Sequence, residues 1–350
     1  MIFMFIFGMF ISTQPFKVTG TSCVGGIVGE ISENAYIKGT NSSIHDTDFR
    51  YIDAPPSTPA NFNGTVSGTE YVGGIAGIVL KADVEYCYVK ATVYGNNYVG
   101  GIAGYMEGIN NDNKTNREYK LRFSLFEGMI KFPEATSSGE RMGGIVGSID
   151  GYVWVVRNSN FGEITGGKHT GGIVGHTDYG DVAPSIEMNL NMGNISGKLT
   201  VGGICGHITT QKDNKWIVVK NCSNFGDVTG TSQKINKRPF WYGIGGILGS
   251  CDHSKISVEN CSNHGHILGK EEDGFHGVGG IAGVMGLDPG GTRQKENLQV
   301  FSCANYGLVE ASSSWVGGIL GYQEEGDTGK NDTNSIVKDC VNYGEIAKNV

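Results

Sequence analysis

One pentapeptide dictates the architecture of this chain. The run GGIxG begins at Gly25, Gly73, Gly100, Gly143, Gly171, Gly202, Gly245, Gly279 and Gly317, and its Ile never varies. Successive starts lie 48, 27, 43, 28, 31, 43, 34 and 38 residues apart, so a minimal unit of about 27 residues carries insertions of up to about 20. A repeated unit grows along one axis without enlarging its core, so the 350 residues do not imply two globular domains.

A second motif lies between the pentapeptides, clearest as NCSNFGDVTG from Asn221 to Gly230 and NCSNHGHILG from Asn260 to Gly269. Weaker copies end at Gly166 and Gly197, surround Cys303 and Cys340, and run from Cys87 to Gly95. Three residues before the Cys position stands Val155, Ile186, Val219, Val258, Val300 or Val337, which reads as an inward-facing strand position.

Each unit therefore offers three short extended segments, V-G-G-I-x-G, x-V-x-N-C-x-N and G-x-V-x-G, with no helical periodicity. Strands of this length with turn residues at fixed offsets describe one coil of a right-handed parallel β-helix, stacked at ~4.8 Å. About nine coils are expected, with glycine at the corners where a left-handed or crowded backbone excludes Cβ. Stacking would align Asn160, Asn191, Asn224, Asn263, Asn305 and Asn342 in an amide ladder at a corner. The next position, Phe161, Met192, Phe225, His264, Tyr306 and Tyr343, would form a mostly aromatic column.

These residues resemble the GLUG-motif repeats of bacterial and protist surface proteins: GG-I-x-G, then an Asn-Cys or Asn-Ser strand, then G-x-V-x-G. The resemblance covers nearly all of residues 16 to 346. It implies the solenoid segment of a large extracellular protein, such as an adhesin or the stalk of a surface protease, and it brings no catalytic residues. The long insertions and the regular Cys depart from the simplest family pattern.

Composition agrees with a folded, exported repeat. With 57 Gly but only 8 Pro the chain is not collagenous, and 15 Phe and 15 Tyr are too many for a disordered tail. A net charge of -8 with no basic stripe argues against nucleic acid, and only 18% of residues are charged, as in surfaces built from Asn, Ser, Thr and Gly. Residues 1–15 form an apolar N-terminal segment that reads as a secretory signal, a truncated start or an N-terminal plug, and residues 16–350 form one repeat domain. Of the eight Cys, Cys87, Cys222, Cys261, Cys303 and Cys340 share one column, as buried thiols or, after oxidation, as bridges between neighbouring coils.

Among seven N-x-S/T sequons, Asn113 and Asn331 lie in insertions and are the plausible glycan acceptors, whereas Asn221 and Asn260 fall in the stacked corner where a glycan would clash. Glu107, Asp150, Asp178, Asp252 and Glu324 share one offset after the pentapeptide, where a carboxylate column would bind Ca²⁺ or sugar or where the turn is simply solvated. His176 and His207 are equivalent positions without a recurring third ligand. Neither metal nor cofactor is expected, and GGIxG lacks the order and the helix of a dinucleotide site. Phe240, Trp241 and Tyr242 form the one strong aromatic cluster in an insertion, for carbohydrate or protein contact or to cover the coil edge. The expectation is a non-enzymatic extracellular or surface scaffold. It would bind a cell-surface protein or carbohydrate through its insertions and continue into further repeats or stack end to end with another copy. The rival reading is a β-helix polysaccharide lyase or glycoside hydrolase.

Overall fold

The computed structural model describes residues 16–33, 35–39, 59–109, 118–132, 139–177, 184–209, 216–232, 242–252, 255–271, 277–287, 298–312, 315–323 and 336–348. Among them all regular structure is strand, arranged as a parallel β-solenoid of two nine-stranded sheets and one 23-stranded sheet. One coil shows the plan. Trp216–Lys220 lies in one nine-stranded sheet; Ser223–Asn224, Val228–Ser232 and Gly243–Gly245 follow in the long sheet; Leu248–Asp252 belongs to the other nine-stranded sheet. The chain then enters Lys255–Glu259, which pairs in parallel register on Trp216–Lys220 and begins the next coil.

The pentapeptide is a corner and not a strand. Its first Gly ends a strand of the long sheet, and its fourth residue begins a strand of the next sheet, as at Gly202 and Cys205. Between them the Ile amide donates to the Ile carbonyl of the following coil, for example Ile204 to Ile247 at 3.0 Å and Ile247 to Ile281 at 2.9 Å. Ile75, Ile102, Ile145, Ile173, Ile204, Ile247 and Ile281 are completely buried, which explains the invariance.

Glycine is required here by crowding. A Cβ on Gly202 would lie 2.0 Å from the Cys205 carbonyl oxygen, and one on Gly203 would lie 2.1 Å from that of Gly246 in the next coil. The expected left-handed role falls to glycine at Gly151, with φ of 73°, but most positive-φ corners are occupied by side-chain-bearing residues. One column runs Tyr71, Tyr98, Arg141, His169 and Leu199, and another runs Tyr86, Phe123, Arg157, Met188, Asn221, Asn260, Ser302 and Asp339, all with φ between 50° and 68°. Several of these corner side chains are buried, among them Tyr86, Phe123, Arg157 and His169. Asn221 and Asn260 stack in the second of these corner columns, Asn260 exposed and Asn221 half-buried.

The Asn ladder forms, but in strands inside the solenoid and not at a left-handed corner. Asn160, Asn191, Asn224, Asn263 and Asn305 are fully buried; each Nδ2 donates to the Oδ1 of the next Asn at 2.7–2.8 Å and to the glycine carbonyl two residues on. In earlier coils Phe62, Val89 and Phe126 hold the same register.

The Cys column is also in register, and none of the eight cysteines forms a disulfide. Its logic is hydrogen bonding. The amide of Asn158 reaches Leu121 O at 2.8 Å and that of Asn189 reaches Val155 O at 2.9 Å, and Cys222, Cys261 and Cys303 aim Sγ at the equivalent carbonyls of Ile186, Val219 and Val258 at 3.5–3.6 Å. The inward valine column is buried from Val155 to Val300. Val337 keeps the register but is exposed, because it lies in the last described coil.

Candidate functional site

A continuous array of polar and aromatic groups lies where the pentapeptide corner meets the sheet after it. The left-handed residues Tyr71, Tyr98, Arg141 and His169 form one row there, and Tyr105, Ser148, His176, His207 and Ser250 form the adjacent one. Tyr71 stacks on Tyr98 at 4.6 Å, both meet the edge of Tyr105, and Arg141 lies over Tyr98 at 4.7 Å while donating to its hydroxyl.

Beyond Arg141 the strip becomes a buried histidine trio. His169 lies 4.9 Å from His176 and 4.5 Å from His207, with His176 and His207 5.3 Å apart. The third histidine, absent from the sequence-based pair, arrives across the corner from the preceding strand. His169 Nδ1 meets Thr200 Oγ1 and His207 Nδ1 meets Ser250 Oγ, each at 2.7 Å, and His207 Nε2 lies 3.5 Å from Asp252. His176 Nδ1 and Ser148 Oγ are buried without a hydrogen-bond partner. The rings meet mainly through their faces, so their lone pairs do not converge, and no group of three or more side chains among the described residues is set to hold a metal ion.

Burial holds His169 and His176 well below the ordinary imidazole range, reinforced by the neighbouring His207 and by the cations Lys168 and Arg141. Both are therefore neutral in the fold. Above pH ~6.5 they cost nothing; below it the unfolded chain takes up protons that the fold refuses, so stability falls as pH drops toward the folded values. The loss reaches at most about 1.4 kcal/mol per histidine per pH unit. Thermal unfolding should show a midpoint falling between pH 7 and pH 5, and the double variant His169→Gln/His176→Gln should flatten that dependence. An unchanged slope in the variant would remove the trio as its cause.

The carboxylate column keeps its register at Glu107 and Asp150, while Thr209 pairs with Asp252 and a register shift sets Leu287, not Gly286, beside Asp252. These acids have local partners: Lys81 lies 3.9 Å from Glu107, Tyr105 donates to Asp150 at 3.4 Å, and His207 faces Asp252. Asp178, Glu324, Phe240, Trp241, Asn113 and Asn331 lie outside the described residues. Tyr242 is buried just before Gly243–Gly245, the position of a side chain covering the coil. The predicted aromatic column does form: Phe225, His264, Tyr306 and Tyr343 stack at 4.3, 4.6 and 5.0 Å within 12° of parallel, on the exposed side of the long sheet.

Residues 68–94 match the model of the GLUG motif. The chain carries the GLUG motif. Those residues span the strands Glu70–Gly73, Ala76–Leu80, Asp83–Glu85 and Cys87–Tyr94, one circuit of the solenoid, so the GLUG unit and the structural coil coincide. A search of curated proteins gave no match. Among solved structures, the GLUG chain is similar to one described as a "putative immunoglobulin A1 protease from Bacteroides ovatus", with 17% identity, a TM-score of 0.39, and coverage of 96% of this chain and 84% of that one.

Proposed function

We propose that this chain is a non-catalytic, extracellular or cell-surface scaffold with an adhesive or spacing role. The observation that carries the reading is the parallel register maintained across both nine-stranded sheets, which turns each surface position into a continuous column running along the solenoid. Such a body supplies length at ~4.8 Å per coil and repeated side-chain rows. The stacked Phe225–His264–Tyr306–Tyr343 column is one such row, suited to adhesive contact.

Antibodies against the chain should label intact cells of the source as strongly as permeabilised ones, and beads coated with the purified protein should adhere to partner cells or their glycans. Labelling only after permeabilisation, or beads that never adhere, would count against it. Pectic, alginate and glycosaminoglycan polymers should remain uncleaved; cleavage abolished by Asp252→Asn would establish the polysaccharide-degrading reading instead.

A further inference from the structure

A dimple in the outer face of the first-described nine-stranded sheet has the composition of a ligand site. Along this face one column reads Lys38, Glu85, Arg122, Val156, Glu187, Lys220 and Glu259. Charged partners tie it together on both sides, with Glu85 to Lys38 at 3.2 Å and to Arg122 at 2.8 Å, and Lys220 to Glu259 at 3.5 Å. Val156 interrupts this ladder. Its small side chain leaves a cavity of about 240 Å³, walled by Lys120, Arg122, Phe123, Trp154 and Arg157.

We propose that this cavity binds the carboxylated ring of an acidic sugar, such as a uronate or sialate at the end of a glycan. Size favours one ring, since ~300 Å³ is the lower limit for drug-sized ligands. Charge favours an anion. Of the lining residues Lys120, Arg122 and Arg157 are cationic and none is acidic. The adjoining acids are Glu85, shared between Lys38 and Arg122, Asp83, which accepts from the Lys120 backbone amide at 2.9 Å, and Glu187 in register with Val156, while the Lys120 ammonium rests over the Trp154 ring at 5.5 Å. Arg122 and Arg157 both lie over Phe123, at 5.2 and 5.5 Å, which holds two guanidinium groups at one wall. Trp154 offers the apolar surface that a sugar's C–H face requires, and its Nε1 is a donor without an acceptor. A carboxylate would pair with the Lys120 ammonium beside this cationic wall while the ring packs against the indole.

Binding of an acidic sugar by the purified chain in solution is independent of surface display or adhesion. Tryptophan fluorescence and calorimetry with glucuronate and with a sialylated trisaccharide should show saturable binding and identify which acid is preferred. Lactose and acetate should bind at least about tenfold more weakly, a difference of about 1.4 kcal/mol. Trp154→Ala and Lys120→Met should each weaken binding about tenfold, and Trp154→Phe should restore most of it. Each variant is half-buried on the outer face, and an unchanged circular dichroism melt confirms its fold. No saturable binding by either acidic sugar, equal binding of lactose or acetate, or undiminished binding by Trp154→Ala would overturn the assignment.

Discussion

Gly202→Ala should cost the solenoid roughly 3–5 kcal/mol, the upper range for a single substitution. The added methyl carbon would sit 2.0 Å from the Cys205 carbonyl oxygen and 2.8 Å from the Gly249 amide nitrogen, backbone atoms on two sides with no flexible end to move aside. Relief would require opening the corner, which would break the Ile204 and Cys205 amide bonds to Ile247 O and displace the buried Ile204. Gly20→Ala is the control. Its methyl would meet only the Val24 side chain, at 2.9 Å, and should cost less than about 1 kcal/mol. Urea unfolding followed by circular dichroism measures both, read as midpoints because repeat arrays need not unfold in one step. Equal midpoints for Gly202→Ala and the parent chain would show that crowding does not enforce the pentapeptide.

Asn224→Ala should be nearly as damaging, although it removes only a small polar group. Asn224 Oδ1 accepts from Asn191 at 2.7 Å, and its Nδ2 donates to Asn263 at 2.7 Å and to Gly226 O at 2.8 Å. Deleting the amide strands partners above, below and beside it, all in the fully buried column, at about 1–3 kcal/mol for each unsatisfied group. Partial relaxation brings the expected loss to roughly 3–5 kcal/mol. Asn342 is the last described member of the ladder and is exposed, so Asn342→Ala should cost under about 1 kcal/mol. Similar losses at the two sites would mean that the ladder's buried chain of amides contributes no more than an exposed end.

Much of this protein is legible because a solenoid converts sequence period into spatial position. A residue's neighbours above and below are its counterparts one repeat away, so Asn191 could be placed between Asn160 and Asn224, and Phe225 beside His264, by counting from a motif. The buried Ile column and the inward valines follow from the same counting. Cys222 was legible as a member of a column, but its substitution for an asparagine as a hydrogen-bond donor to the neighbouring coil was not, because donor direction depends on side-chain torsion.

The chain order alone determined the period, the parallel β architecture and the membership of each column, since all three are properties of one-dimensional spacing. Tertiary structure decided what meets across a corner and what is left open on a face. His169 joins His176 and His207 only because the pentapeptide turns back between Gly171 and Val174, and the turn angle, not the seven-residue separation, sets their contact. The Trp154 cavity exists only because a small Val156 falls in register between Arg122 and Glu187, whose long side chains leave a gap above it. Period selects the column neighbour, whereas the shape of a site comes from the volumes and torsions of side chains that the fold brings together from different coils and corners.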